Sequence, residues 1–159
     1  MKTCVLYGPK DFRIEERPVS EPQPGFVRLR MGGVGICGSD LHYYHIGRVG
    51  NAVVREPMIL GHELSGVVDA IGPGVSGLVP GQKVIINPTD ECGTCGYCRS
   101  GHQNLCPDLR YYGSAARTPH VQGIMVEYPM VQARQCVAVS DAMPLDQAAC
   151  VEPLAIALH

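Results

Sequence analysis

Short stretches in which apolar, often β-branched, residues alternate with polar ones recur along the chain. They are Thr3–Tyr7, Phe12–Glu16, Phe26–Arg30, Val67–Ile71, Lys83–Asn87, Gly123–Val131 and Cys136–Val139. A two-residue period belongs to a strand with one face buried, and each stretch has the length of a strand. Turn chemistry separates them: Pro22-Gln23-Pro24-Gly25, Gly72-Pro73-Gly74 and Pro80-Gly81 combine a fixed φ with a residue free to turn. Strands this short and this often interrupted predict a mainly β fold, a barrel or a sandwich. Two segments depart from the pattern. Ser39–Tyr44 fits a short helix capped by Ser39 or Asp40. From Leu145 to His159 (LDQAACVEPLAIALH) the sequence turns helical, opened by Pro144 and interrupted by Pro153. This last helix ends without a glycine cap or polar tail, and the expectation is that further sequence follows.

Composition narrows the class. A chain of 159 residues forms one domain or a little more, long enough to bury a core. Glycine (19) and proline (13) are abundant and spread out, as many turns require. The formal net charge is −2 and the basic residues are scattered, so no nucleic-acid stripe is present. The opening MKTCVLYGPKDF lacks a secretory apolar stretch, and no run of eighteen apolar residues occurs. A cytoplasmic protein is expected. Thiols stay reduced there, so clustered cysteines point to metal or catalysis rather than to disulfides.

The cluster is ECGTCGYCRSGHQNLCP, Glu91 to Pro107, with Cys92, Cys95, Cys98 and Cys106 spaced C-x2-C-x2-C-x7-C. Paired C-x2-C thiolates reach one tetrahedral ion, and four thiolates close its shell, so the site is structural zinc. The rival is an iron–sulfur cluster, because Cys106-Pro107 echoes a ferredoxin ending. That run, however, has three residues before its last cysteine, where this chain has seven. A second set is scattered: Cys37 in CGSDLH and His62-Glu63 in GHELSG, with Glu152 further on. One thiolate, one imidazole and one carboxylate leave a position open, the pattern of catalytic zinc. Taken by themselves, a single cysteine and a single histidine read equally as a buried hydrophobe and a satisfied polar group.

These motifs together resemble the zinc-containing medium-chain alcohol dehydrogenases. GHELSGVVDAIGPGV, from Gly61, is similar to that family's signature, with glycines at 61, 66 and 72 in place. Cys37, Ser39 and His42 match its ligand and proton-relay segment, and the four-cysteine loop matches its structural zinc lobe. Glutamate in Val151-Glu152-Pro153-Leu154 places the resemblance in the sorbitol, threonine and idonate branch. The resemblance implies a GroES-like, partly open barrel with few short helices and a zinc-stapled lobe, spanning residues 1–159 as the N-terminal part of a catalytic domain. It implies a Rossmann domain after residue 159 that binds NAD or NADP. No strand followed by G-x-G-x-x-G occurs here, and GPGVSG at 72–77 lacks the helix that the fingerprint needs.

What the resemblance implies for chemistry is two zinc ions, one structural and one catalytic. Cys37, His62 and a glutamate hold the second, with Glu63 as the direct ligand and Glu152 beside it. Ser39 takes a proton from a substrate hydroxyl, His42 passes it to solvent, and hydride goes to the nicotinamide. The substrate is a polyol or sugar acid, and the whole enzyme is a homotetramer. Asp40 is either a helix cap or a residue that orients a ligand. Tyr43, Tyr44, His45 and Arg48 follow the relay histidine and suit a polyhydroxylated substrate, with packing as the alternative for the rings. Arg48, Arg110, Arg117 and His120 are candidates to pair with a substrate carboxylate. Cys4, Cys136 and Cys150 read as free thiols. The other class of function is a standalone GroES-like zinc module that binds a partner or small molecule without catalysis.

Overall fold

The computed structural model describes residues 1–159. In chain order the elements are β1 (Lys2–Gly8), β2 (Asp11–Glu16), β3 (Phe26–Val34), α1 (Gly38–Ile46), β4 (Arg48–Val49), β5 (Ala52–Val53), β6 (Met58–Ile59), β7 (Leu64–Ile71) and β8 (Lys83–Ile86). They continue with β9 (Thr89–Asp90), α2 (Gly96–Arg99), β10 (Arg110–Tyr111), β11 (Met130–Gln132), β12 (Cys136–Ala138), α3 (Leu145–Ala149) and α4 (Val151–Leu158). A five-stranded antiparallel sheet runs β11-β3-β7-β8-β12, and a three-stranded one runs β2-β1-β6. The fold is mainly β, a curled, partly open barrel of the GroES-like kind. No helix is long and apolar enough to cross a membrane.

Each sheet carries its own core. Val5, Leu6, Met58, Ile59 and Leu60 build one; Val27, Leu29, Leu64, Val68 and Val84 build the other. The strand periodicity is followed closely in β1, β2, β8 and β12. β3 runs on to Val34 and β7 starts at Leu64, further than alternation marks, because α3 covers the sheet there and Leu64, Ser65 and Gly66 are buried in succession. Ser65 in β7 donates to the Leu145 carbonyl at 2.5 Å, which fastens α3 to the sheet.

The expected strand at Gly123–Val131 is a correction. Only Met130–Gln132 pairs as a strand; the residues before it cross between the sheets. Gly123, Ile124 and Met125 donate to Ile59, Gly61 and Leu60, Glu127 donates to Lys2, and Leu29 donates to the Pro129 carbonyl. These bonds draw on both sheets in turn, and Pro129 has no N–H to give. The terminal helix also breaks elsewhere than expected. α3 ends at Ala149 and α4 begins at Val151, whereas Pro153 lies in the first turn of α4, where the N–H it lacks would have no helical partner. α1 is capped by Cys37, not by Ser39 or Asp40.

The four-cysteine lobe leaves the barrel between β9 and β10, which pair antiparallel as Thr89 with Tyr111 and Asp90 with Arg110. Its root is bolted down by Gln135, which is 2 % exposed. The Gln135 amide donates to the Thr89 carbonyl at 2.8 Å and accepts from the Tyr112 hydroxyl at 2.7 Å. Replacing Gln135 with leucine keeps the volume and takes both bonds from half-buried partners, at a cost of about 2 kcal/mol. The expected result is a melting midpoint lower by about 5 °C for the zinc-loaded chain; an unchanged midpoint would contradict this account of the root.

Candidate metal centres

The sulfurs of Cys92, Cys95, Cys98 and Cys106 all lie within 4.8 Å of one another. The Cys95–Cys98 separation is 3.4 Å and the Cys92–Cys98 separation 4.0 Å. Both bracket the roughly 3.8 Å edge of a tetrahedron with 2.3 Å metal–sulfur bonds. A four-iron cube would set each thiolate on a separate iron and further apart. None of the eight cysteines is in a disulfide. Backbone N–H groups point at the sulfurs: Cys95 donates to Cys92, Cys98 to Cys95, and Cys92 to Cys106, at 3.4, 3.4 and 3.5 Å. Such donors stabilise thiolates. The Thr94 and Cys95 N–H groups hold the Cys92 thiol down to about 6, while burial, then its thiol neighbours, push Cys98 up to about 12. The donor set fits one zinc with a closed shell.

The second set also converges. Donor atoms of Cys37, His62 and Glu63 lie within 4.8 Å of one another, although Cys37 caps α1 and the other two precede β7. His62 and Glu63 sit where the two cores meet, between Leu60 of one and Leu64 of the other. Both are buried, and His62 Nδ1 has no hydrogen-bond partner. A buried ring nitrogen without a partner is costly unless a ligand takes up the ring. Asp40, the third residue of α1, completes a capping box with Cys37 and also reaches Gly61. Its Oδ2 accepts from the Cys37 N–H at 3.0 Å and its Oδ1 from the Gly61 N–H at 3.2 Å, which ties the two ligand segments together. Gly35 supplies room: a Cβ there would stand 1.9 Å from Glu63 Oε2. Burial raises the Glu63 carboxyl; His62 opposes this, and the Glu152 and Asp40 charges add to it. A thiolate, an imidazole and a carboxylate fit zinc with one position open.

Glu152 lies outside this donor set. It accepts a hydrogen bond from the Tyr111 hydroxyl at 2.6 Å, and the Tyr111 ring leans on His62 with centroids 5.1 Å apart. Ser39, half-buried, and His42, exposed, occupy one face of α1 three residues apart. Arg48 is exposed and shares with His42 an open depression of about 540 Å³. Tyr43 belongs to the core instead, 4 % exposed, its oxygen accepting from the Ala115 N–H at 3.1 Å. That matches the packing alternative. Two of the candidate carboxylate partners are used within the fold. Arg117 donates to the Leu109 and Pro107 carbonyls and pairs with Asp108. His120 is buried, Nδ1 donating to the Arg117 carbonyl and Nε2 accepting from the Arg55 N–H. Arg110 stays exposed. Sequence reasoning assigned no role to Gly35 or Tyr111: one is a glycine among many, the other one of two adjacent tyrosines.

Residues 23–141 match the alcohol dehydrogenase GroES-like domain family, and the chain belongs to it. Among named relatives it is similar to L-idonate 5-dehydrogenase (NAD(P)(+)) of Escherichia coli, 43 % identical over 99 % of this chain and 45 % of that protein. It is also similar to sorbitol dehydrogenase of Bacillus subtilis, 38 % identical over 100 % of this chain and 44 % of the relative. The crystal structure of L-idonate 5-dehydrogenase from Escherichia coli superposes with a TM-score of 0.93 at 41 % identity, covering 99 % of this chain and 45 % of that one. The chain thus spans less than half the length of these relatives.

One outcome follows from the geometry. Gly35→Ala displaces Glu63 and is expected to weaken metal binding at the open site about ten- to a hundredfold. Elemental analysis after dialysis should show one zinc fewer per chain, with the cysteine lobe still loaded; full retention would contradict the fit.

Proposed function

We propose that this chain is the N-terminal part of the catalytic domain of a longer, zinc-dependent dehydrogenase. The reaction is hydride transfer from a secondary alcohol of a polyol or sugar acid to NAD(P). The observation that carries this reading is the convergence of Cys37, His62 and Glu63 on one point, three donors where tetrahedral zinc takes four, in a chain of the alcohol dehydrogenase family. Zinc bound there supplies Lewis acidity that makes an alcohol easier to deprotonate.

The chain's own residues do the rest. Glu63 completes the ligand set, and its negative charge with that of Cys37 offsets the ion. Ser39 takes the substrate proton and His42, exposed on the next turn of α1, releases it to solvent. Asp40 fixes the distance between the segments that carry Cys37 and His62. The nicotinamide comes from a Rossmann domain beyond residue 159, in keeping with relatives more than twice as long. Within this chain, Gly72–Gly77 follows β7 but leads into turns, not a helix. The cysteine lobe is a structural zinc site, and the assembled enzyme is a homotetramer. The finer substrate reading is oxidation of L-idonate to 5-keto-D-gluconate, supported by the 43 % identical relative and by exposed Arg48, whose guanidinium suits a carboxylate.

The full-length protein, loaded with zinc, should reduce NAD or NADP with L-idonate or sorbitol. Cys37→Ser should lower kcat at least about a hundredfold with little change in melting, because it removes a ligand from the reacting centre. Cys95→Ser should chiefly lower the melting midpoint. No NAD(P)-linked oxidation of any polyol or sugar acid by the zinc-replete protein would overturn the reading.

A further inference from the structure

Two carboxylates border the open site, and only one is in the donor set. Glu63 converges with Cys37 and His62. Glu152 meets the site through Tyr111, whose ring lies 5.1 Å from the His62 ring and whose hydroxyl takes its Oε1 at 2.6 Å. An ionised carboxylate beside a divalent cation with an open position is drawn into that position unless something holds it. Tyr111 is well built to hold it. Its backbone pairs with Thr89 in the β9–β10 ribbon, and the Thr89 carbonyl is bound by buried Gln135. Its ring is braced against His62, with centroids 5.1 Å apart. The hydroxyl is therefore a fixed donor, and the bond it makes to an ionised acceptor is of the strong kind.

We propose that Tyr111 is a positioning residue that holds Glu152 out of the metal's coordination shell, so that Glu63 is the only carboxylate ligand and one position stays open. The inference rests on the reading of Cys37, His62 and Glu63 as a metal centre. It deepens that reading by naming what keeps the centre open. Glu152 is carried on α4 and Tyr111 at the root of the cysteine lobe, so the lobe's fastening to the barrel bears directly on the open site.

Cobalt reports the coordination number without any need for turnover. The full-length protein is prepared with zinc in the cysteine lobe and cobalt in the open site. Wild-type protein should show the intense visible absorption of four-coordinate cobalt. Tyr111→Phe keeps the ring on His62 and removes the hydroxyl. It should weaken that absorption, as a fifth ligand does, and tighten cobalt binding by about tenfold, as release of one charge-assisted bond allows. Glu152→Gln alone should keep the wild-type spectrum, and Tyr111→Phe with Glu152→Gln should return to it. A Tyr111→Phe spectrum and affinity equal to wild type would overturn the proposal. So would a change that Glu152→Gln does not reverse, since the ring or the fold would then be its cause. Wild-type protein that takes up no cobalt beyond the lobe would instead remove the metal centre itself, and the inference with it.

Discussion

The Asp40 carboxylate is 2 % exposed, and each of its oxygens accepts a backbone N–H, one from Cys37 and one from Gly61. Those two residues lie 24 positions apart, one at the start of α1 and one just before His62. A buried carboxylate must be satisfied, and here satisfying it fixes how the helix meets the sheet. Cys37 is then held beside His62 by a bond that involves neither ligand side chain. The thiolate and the imidazole thus have their separation set by the backbone before any ion arrives. Glu63 needs one more condition, the bare Cα of Gly35, because a methyl group there would occupy the place of its carboxylate.

The two centres differ in what organises them. The cysteine lobe has few buried apolar side chains: between Glu91 and Pro107 only Cys98 and Cys106 are buried, while Tyr97 and Leu105 are exposed. Its order depends on the ion and on N–H···S bonds within the loop, so metal binding there is folding free energy. The open site lies where two hydrophobic clusters meet, with His62 and Glu63 between Leu60 and Leu64. Packing holds that site in shape, and a ligand can be exchanged in it without the fold being lost. One set is ordered from within its own loop; the other is held by the packing around it.

What was legible in the sequence follows the same division. The four cysteines could be read as one site because all their geometry lies within fifteen residues. β8 could be read because its alternation survives, with Val84 and Ile86 buried and Lys83 and Ile85 between them only half-buried. Gly123–Val131 alternates equally well but is not a strand, because its partners lie on two different sheets and only the closed barrel decides between them. Tyr43 shows a comparable limit. Its place after the relay histidine suits a substrate contact, yet the turn of α1 carries it into the core beside Met58 and Ala115. Tyr111 was invisible as a working residue, since nothing local distinguishes a tyrosine that meets Glu152 across 41 residues from one that merely packs.

The long-range contacts that local reading misses are the ones that join the centres. From the lobe, the path runs through β9 and β10 to Tyr111, and from there to the His62 ring and the Glu152 carboxylate. Gln135 anchors the near end of that path by binding Thr89 and Tyr112 together. A loop tied down by four thiolates and a buried amide has little freedom to shift its last strand. Two residues of β10, held in register by two of β9, then deliver one hydroxyl to one carboxylate. Restraint of the lobe is therefore restraint of the open site, and the lobe is not a separate module.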